Sequence, residues 1–353
     1  MEVPIIKILL PAAFAFVIGV LITPIVTAQL YRYQAWKKRA GKTALGGTQA
    51  NEFNRLKGEA ETSTPRMGGI IIWSSTLLTV ALLFATSRFF PDSVFGELGF
   101  VSRAQTWIPL ATLAIGAAVG FVNDFYDIRH GGHGLRLSLR LLFVSILAGG
   151  IGWWFYEKLE VTTVGIPFSE PLMVGVLIVP LFVILANAVY ASGVIDGIDG
   201  LSGGVFAAIF AAYGGVALVQ SQFDLAAFCA TLTGAILAFL WFNIPPARFW
   251  MTETGSMALT LTLSVVALMT DSLGGGHGLA LLPLIGLPLV ATVASNVLQL
   301  GYRKFTGGRK LFRLAPLHHH FEAIGWPSYK VTMRYWVISM VCAMLGVMMA
   351  AVA

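Results

Sequence analysis

Five acidic side chains recur where apolar stretches of the sequence end. They are Asp124, Asp127, Asp196, Asp199 and Glu253. In GFVNDFYD, Asp124 and Asp127 are three residues apart, so a continuing helix would place both carboxylates on one face. Carboxylate oxygens suit a hard cation such as Mg²⁺, which keeps part of its water shell in a protein. The alternative is a polar helix end that pairs with Arg129, and the residues alone leave both interpretations open.

The second acidic pair lies among glycines in SGVIDGIDGLSGG, residues 192–204. Glycine lets the backbone approach a ligand closely and lets backbone amides point at a phosphate. Close packing of helices through small residues is the alternative explanation of the glycines. That alternative does not explain why Asp196 and Asp199 lie between them.

Glu253 follows a loop that cannot be helical, because the loop contains Pro245 and Pro246. Thr252 or Thr254 is expected to cap the helix that begins here, and an acidic residue is favourable in its first turn. Helix capping therefore explains Glu253 when it is considered alone.

A run of three histidines, His318 to His320, follows a basic segment and precedes the last apolar stretch. Histidines can bind a transition metal, but adjacent residues point in different directions. The sequence also has no second His or Cys group with ligand spacing, so zinc is disfavoured. Basic residues followed by histidines suit phosphate, and attraction to anionic lipid headgroups is the alternative.

The elements that must position these residues are membrane helices. Of the 353 residues, 57% are hydrophobic and 11% are charged, which predicts an all-α polytopic membrane protein with a single integral domain over 1–353. Cys229 and Cys342 both lie in apolar runs, which excludes a disulfide framework and a Cys-based metal site. Proline is tolerated in membrane spans, such as those over 172–190 and 278–300, which contain Pro180, Pro283 and Pro288. The ten predicted spans are 5–30, 68–87, 106–122, 138–155, 172–190, 201–220, 225–242, 254–271, 278–300 and 332–352.

The basic residues are segregated between the loops. Of the 23 Lys and Arg, 19 lie in or beside the loops that follow odd-numbered spans. The positive-inside rule then places those loops in the cytoplasm and both termini outside. The five acidic residues and the histidine run lie on this cytoplasmic side, so a candidate active site is expected at the cytoplasmic face.

The candidate site at the membrane surface combines carboxylates, glycines, basic residues and imidazoles. This combination favours phosphoryl transfer between a nucleotide-bearing substrate and a lipid phosphate. Mg²⁺ and basic side chains would neutralise two anionic reactants that repel each other. A transporter that binds lipid phosphate is the alternative from another class. Such a protein is expected to show two repeat-related halves with matching broken helices, and the sequence shows none.

The segments STPRMGG, GFVNDFYD, IDGIDGL, MTETGS and APLHHHFE together resemble those of the phospho-N-acetylmuramoyl-pentapeptide transferases, in that family's order. The resemblance covers nearly the whole chain and implies a multi-pass protein of the bacterial cytoplasmic (inner) membrane. It implies transfer of phospho-MurNAc-pentapeptide from UDP-MurNAc-pentapeptide to undecaprenyl phosphate, which gives lipid I and UMP in peptidoglycan synthesis. It also implies a need for Mg²⁺, while the oligomeric state stays open, a homodimer included.

The family resemblance also implies the roles of particular side chains. The catalytic residues would be Asp124, Asp196, Glu253 and His318. The Mg²⁺ ligands would be Glu253 and Asp124. The substrate-binding residues would be Asp199, Asn243, Trp250, Gln299, His319 and His320. Trp250 is expected to stack on the uracil ring.

The chain departs from the family pattern at several positions. Asn123 stands where the family has the first of two adjacent aspartates, and Glu253 stands where it has an aspartate. Arg66 and Glu61 replace a threonine and a lysine, and Gly193 replaces an asparagine. We read the chain as a divergent but active member. The alternatives are a related transferase that uses another UDP-N-acetylhexosamine and an impaired paralogue that binds lipid phosphate.

Overall fold

The computed structural model describes residues 2–38, 61–103, 105–130, 134–273 and 275–353, with the side chains of 2–4, 94 and 95 left aside. Two short strands, β1 (Thr163–Val164) and β2 (Leu172–Met173), pair antiparallel. Short 3-10 segments lie at Gly175–Leu177 and Ser192–Ile195. The α-helices of the described ranges are α1 (Glu2–Arg32), α2 (Gly69–Phe89), α3 (Val94–Glu97), α4 (Trp107–Arg129), α5 (Leu137–Leu159), α6 (Ile178–Ala191), α7 (Leu201–Val219), α8 (Phe223–Asn243), α9 (Thr252–Ser272), α10 (Gly278–Ile285), α11 (Leu287–Phe305), α12 (Leu317–Ala323) and α13 (Ser328–Val352).

The prediction of an all-α polytopic membrane protein is confirmed. In the described part of the chain, nine helical segments are long and apolar enough to cross a membrane, and α10 and α11 together make a tenth if they count as one span. The prediction of a continuous span over 278–300 is wrong, because α10 and α11 meet at a bend of 74°. Gly286 lies at the break, and Pro288 follows in the first turn of α11, where its missing N–H costs no hydrogen bond.

Helix α9 forms the centre of the bundle. Almost all of its residues are buried, although it is the least apolar of the nine described spans. Its N-terminal half lies directly against α4, because Gly116 and Gly120 of α4 have no side chains to separate the two backbones. A Cβ atom on Gly120 would lie 2.1 Å from the carbonyl oxygen of Glu253. This close approach puts the next residue on that face of α4, Asp124, at the N-terminus of α9.

The two ends of the bundle carry different polar contacts. At the end opposite Asp124, Asp271 accepts hydrogen bonds from the backbone N–H groups of Gly165 (3.1 Å) and Leu279 (3.0 Å), which fix the β-hairpin against α9 and α10. Lys7 and Asp224 form an ion pair at 2.6 Å, which joins the N-terminal parts of α1 and α8. The residues predicted to do chemistry are absent from these contacts and gather at the other end.

Candidate active site

Asp124 is completely buried and binds the first turn of α9. Its Oδ2 accepts hydrogen bonds from the hydroxyls of Thr252 (2.5 Å) and Thr254 (2.6 Å) and from the backbone N–H of Thr254 (2.7 Å). The N–H of Glu253 donates to Oδ1 at 3.3 Å. The prediction that Thr252 or Thr254 caps this helix through its own side chain is therefore wrong. Both hydroxyls donate to Asp124, which supplies the cap from α4 and places a negative charge at the positive end of α9.

Asp196 binds the same turn from the other side. The backbone N–H of Thr252 donates to its Oδ2 at 2.8 Å, and the Ser202 hydroxyl donates to its Oδ1 at 2.6 Å. Burial raises the pKa of Asp196 above its usual value, and these hydrogen bonds oppose the rise. Asp196 thus links the loop between α6 and α7 to the start of α9.

Asp199 and Asn243 organise the proline-containing loop that precedes α9. The indole N–H of Trp250 donates to Asp199 Oδ1 at 3.0 Å, and the N–H of Ala247 donates to Oδ2 at 3.1 Å. The buried Asn243 accepts from Gly200 N at 3.0 Å and donates to the carbonyl of Phe249 at 2.8 Å. These bonds fix the plane of Trp250 through its ring edge. Its role in stacking on uracil, like that of Asn243 near the nucleoside, stays a prediction.

The STPRMGG segment runs alongside residues 250–252. Gly68 N donates to the Trp250 carbonyl (2.8 Å), and Met67 N donates to the Thr252 hydroxyl (3.0 Å). A Cβ on Gly69 would lie 2.2 Å from the backbone nitrogen of Gly255, so this contact requires glycine. The segment therefore lies against the N-terminus of α9.

Asp127 pairs with Arg66 of this segment at 3.2 Å, not with Arg129. The Arg129 guanidinium instead lies 4.5 Å from the ring centroid of Phe125. The Arg129 alternative is therefore wrong, because residues two positions apart on a helix point in different directions. Glu61, the other charge that departs from the family pattern, pairs with Lys37 at 3.2 Å.

Glu253 projects toward α5 and α6. Its Oε1 forms an ion pair with Arg140 Nη1. The Tyr190 hydroxyl lies 3.4 Å from Oε1 and 3.3 Å from Oε2. The side chains of Arg140 and Glu253 are 21% and 25% exposed, so Glu253 is more accessible than the buried Asp124.

Asn123 has a local partner in the structure. Its Oδ1 accepts a hydrogen bond from Leu135 N at 2.9 Å and so holds the segment that leads into α5. A Cβ on Gly134 would lie 2.7 Å from the same oxygen, which shows how closely this segment passes the amide.

The first two histidines of the run lie against the acidic loop. A Cβ on Gly197, between Asp196 and Asp199, would lie 2.8 Å from His318 Nε2 and 2.6 Å from His319 Nε2. His318 is completely buried, and its ring packs edge-on to Tyr335 with the centroids 6.4 Å apart. His319 Nδ1 is 2.7 Å from Glu322 Oε2. The structure thus brings His318 and His319 to the acidic residues, as the sequence predicts.

His320 and Gln299 hold the basic loop that precedes α12. Arg313 N donates to His320 Nδ1 at 3.2 Å. Gln299 Oε1 accepts from the backbone N–H groups of Leu311 (3.1 Å) and Phe312 (2.8 Å). Both side chains therefore shape the loop, and their direct contact with a substrate stays a prediction.

The carboxylate oxygens of the site are the type of ligand that Mg²⁺ prefers, but within the described part of the chain too few of them lie together to hold the ion alone. All the nearby acidic ligands are hard oxygens. In the described ranges, however, no group of three or more His, Cys, Asp or Glu side chains could hold a metal ion alone. Mg²⁺ is commonly held by one or two carboxylates together with substrate phosphates and water, and the partly exposed Glu253 suits that pattern. Asp124 is buried with both oxygens in hydrogen bonds, so its role as a second ligand stays a prediction.

Sequence reasoning missed several residues that build the site. Arg140 and Tyr190 contact Glu253, Ser202 contacts Asp196, and Thr332 donates to the carbonyl of Asp199 at 3.0 Å. The available signal was a polar residue at the end of an apolar helix that faces the other carboxylates. Arg140 carries this signal, because it lies at the start of the apolar helix α5.

The sequence of the chain is similar to those of several known proteins. Residues 106–271 match the model of the family described as glycosyl transferase family 4. The chain is 32% identical to the phospho-N-acetylmuramoyl-pentapeptide-transferase of Listeria innocua over 293 residues, which are 82% of this chain and 85% of that protein. It is also 32% identical to the protein of that name from Chloroflexus aurantiacus, over 82% of this chain and 78% of the relative. The Thermodesulfovibrio yellowstonii protein of that name is 33% identical, over 81% of this chain and 79% of the relative.

Proposed function

The chain belongs to the phospho-N-acetylmuramoyl-pentapeptide transferase family, and we propose that it makes lipid I. It would transfer phospho-MurNAc-pentapeptide from UDP-MurNAc-pentapeptide to undecaprenyl phosphate and release UMP, as a step of peptidoglycan synthesis in the bacterial inner membrane. The observation that carries this proposal is the meeting of Asp124 and Asp196 at the first turn of α9, with His318 and His319 packed against the loop that holds Asp196.

The reaction forms one phosphorus–oxygen bond and breaks another. A phosphate oxygen of undecaprenyl phosphate attacks the β-phosphorus of the donor, and the bond from that phosphorus to the bridging oxygen breaks, so UMP leaves with the bridging oxygen. A buried carboxylate with a raised pKa suits a general base, and Asp196 would accept the proton of a lipid phosphate that arrives protonated. His318 would orient or stabilise the transferred phosphate, because phosphoryl transfer depends mainly on position and charge.

The metal would be held by Glu253 and Asp124. When bound, Mg²⁺ supplies positive charge to the pyrophosphate oxygens and to the leaving UMP. Glu253 is the accessible ligand of the two, and Asp124 would contribute Oδ1, since its Oδ2 accepts three hydrogen bonds from α9.

The nucleoside would bind beside the proline-containing loop. Trp250 would stack on uracil, and its hydrogen bond to Asp199 would hold the ring in place. Asn243 and Gln299 would act by shaping the two loops that flank the nucleotide.

The test is a direct assay with the purified full chain in detergent. We expect UMP and lipid I to form from UDP-MurNAc-pentapeptide and undecaprenyl phosphate with Mg²⁺, and EDTA to stop the reaction. A parallel reaction contains UDP-N-acetylglucosamine instead. Turnover of that donor alone would support the related transferase, whereas binding of the lipid phosphate with no turnover of either donor would support the impaired paralogue.

A further inference from the structure

Arg140 is the cationic side chain that pairs with Glu253, a partly exposed carboxylate of the site. Its Nη1 and the Oε1 of Glu253 form an ion pair that joins α5 to α9. The side chains are 21% and 25% exposed, so the pair is not sealed inside the helix bundle. The Nε of Arg140 is buried and has no hydrogen-bond partner among the described residues. Arg140 is therefore only partly satisfied in this position.

The ion pair and a bound metal compete for the same carboxylate. A carboxylate oxygen that is paired with a guanidinium cannot also take a full position around a divalent ion, and the two cations would repel each other. Ion pairs between partly exposed side chains are weak because solvent screens them. A divalent ion can therefore displace Arg140 from Glu253 at little cost.

We propose that Arg140 is an exchangeable counter-ion of the site. It neutralises Glu253 until a divalent cation binds that carboxylate, and its guanidinium then turns to a phosphate of the nucleotide donor. A planar guanidinium can donate two parallel hydrogen bonds to a phosphate, and the change would give its Nε a partner. The exchange at Glu253 stands on the ion pair itself, while the contact with the donor rests on the proposed function.

The first test measures metal binding without substrates. Mn²⁺ is titrated into the purified full chain, and free Mn²⁺ is followed by electron paramagnetic resonance. Arg140→Met and Arg140→Gln remove the charge, and Arg140→Lys keeps it. Arg129→Met is the matched control, because that guanidinium lies over Phe125 at the same end of the bundle.

We expect Arg140→Met and Arg140→Gln to bind Mn²⁺ about fivefold more tightly, which corresponds to about 1 kcal/mol, the upper range for a partly exposed pair. Arg140→Lys and Arg129→Met should stay within about twofold of the wild type on the same scale. Unchanged or weaker binding in both uncharged variants would overturn the proposal. In the double variant Arg140→Met with Glu253→Gln, the gain in Mn²⁺ affinity should disappear. A gain that persists would show that Arg140 competes with the metal at a group other than Glu253.

The second test measures UMP release at saturating Mg²⁺. Arg140→Met should raise the KM for UDP-MurNAc-pentapeptide at least tenfold, and Arg140→Lys should restore part of it. An unchanged KM would refute the contact with the donor and leave the exchange at Glu253 standing. If the wild type releases no UMP but the uncharged variants still gain Mn²⁺ affinity, the proposed function fails and the exchange survives.

Discussion

Gly197 gives a sharp test of the contact between the acidic loop and the histidine run. In Gly197→Ala, the added Cβ would lie 2.6 Å from His319 Nε2 and 2.8 Å from His318 Nε2. An ordinary contact needs about 3.5 Å, so the His319 ring must move by roughly 0.9 Å and the His318 ring by roughly 0.7 Å. Neither ring can move easily, because His318 is fully buried and His319 is bonded to Glu322.

The expected result is a large fall in kcat with a moderate loss of stability. Displacement of a catalytic group by about 1 Å can cost ~100-fold in rate, so we expect kcat to fall between ten- and a hundredfold. Overpacking of this kind costs about 1–3 kcal/mol, so the variant should still fold and insert. The φ angle of Gly197 is not in the left-handed region, so the steric contact is the main cost of the alanine.

The assay follows UMP release from UDP-MurNAc-pentapeptide, with thermal unfolding in detergent as the measure of folding. Gly193→Ala is the control in the same segment, because its Cβ would lie an ordinary 3.5 Å from Ser256. The control should keep kcat within about twofold, since an unstrained contact leaves the backbone in place. If Gly197→Ala also keeps kcat within about twofold, the two histidines do not need their position against this loop, and the reasoning is refuted.

Four further variants and a chelator test the roles of single side chains. Glu253→Gln should abolish turnover, because it removes the charge of a proposed Mg²⁺ ligand. It should leave the protein folded, because the ion pair that it removes is partly exposed. Near wild-type turnover at limiting Mg²⁺ would exclude Glu253 as a ligand. Asn123→Asp should change turnover or the Mg²⁺ requirement only modestly, because a carboxylate can still accept the hydrogen bond of Leu135; an inactive wild type that Asn123→Asp rescues would favour the impaired paralogue. His318→Ala should lower kcat strongly and His320→Ala less, since His320 binds the backbone of its own loop, and equal effects would contradict the distinction. A zinc-selective chelator should change nothing while Mg²⁺ is in excess, and inactivation would refute the phosphate role of the histidines.

The sequence predicts where polar residues meet better than it predicts how they pair. Spans and charge segregation place Asp124, Asp196, Glu253 and His318 at one end of the bundle, and the structure brings their loops together. The partner of Asp124 lies 128 residues away on α9, so its identity depends on how closely α4 and α9 pack. That distance follows from Gly116 and Gly120, whose effect appears only when the opposing backbone is known.

Two local interpretations failed for a related reason. A threonine hydroxyl at the start of a helix can accept a hydrogen bond from a backbone N–H, as a cap does, or donate one to another group. The sequence favours Thr252 as a cap, but in the structure the hydroxyls of Thr252 and Thr254 both donate to Asp124. The break at Gly286 was also missed, because an apolar run that contains proline is compatible with one straight helix or with two. In both cases tertiary contacts decide between local structures of similar energy.

The burial of α9 has a consequence for how the protein is assembled in the membrane. In the middle of α9, several hydroxyl groups donate to carbonyls of the same helix: Thr260 to Ser256, Thr262 to Ala258 and Ser264 to Thr260. Helix α9 has the lowest hydropathy of the nine described spans, so its transfer into lipid alone is the least favourable. Packing against neighbouring helices makes its insertion more favourable. Helices α4 and α8 are synthesised before α9, whereas α13 follows it. The candidate site needs His318, which follows α9 in the sequence, so it is complete only once this last part of the chain has been made.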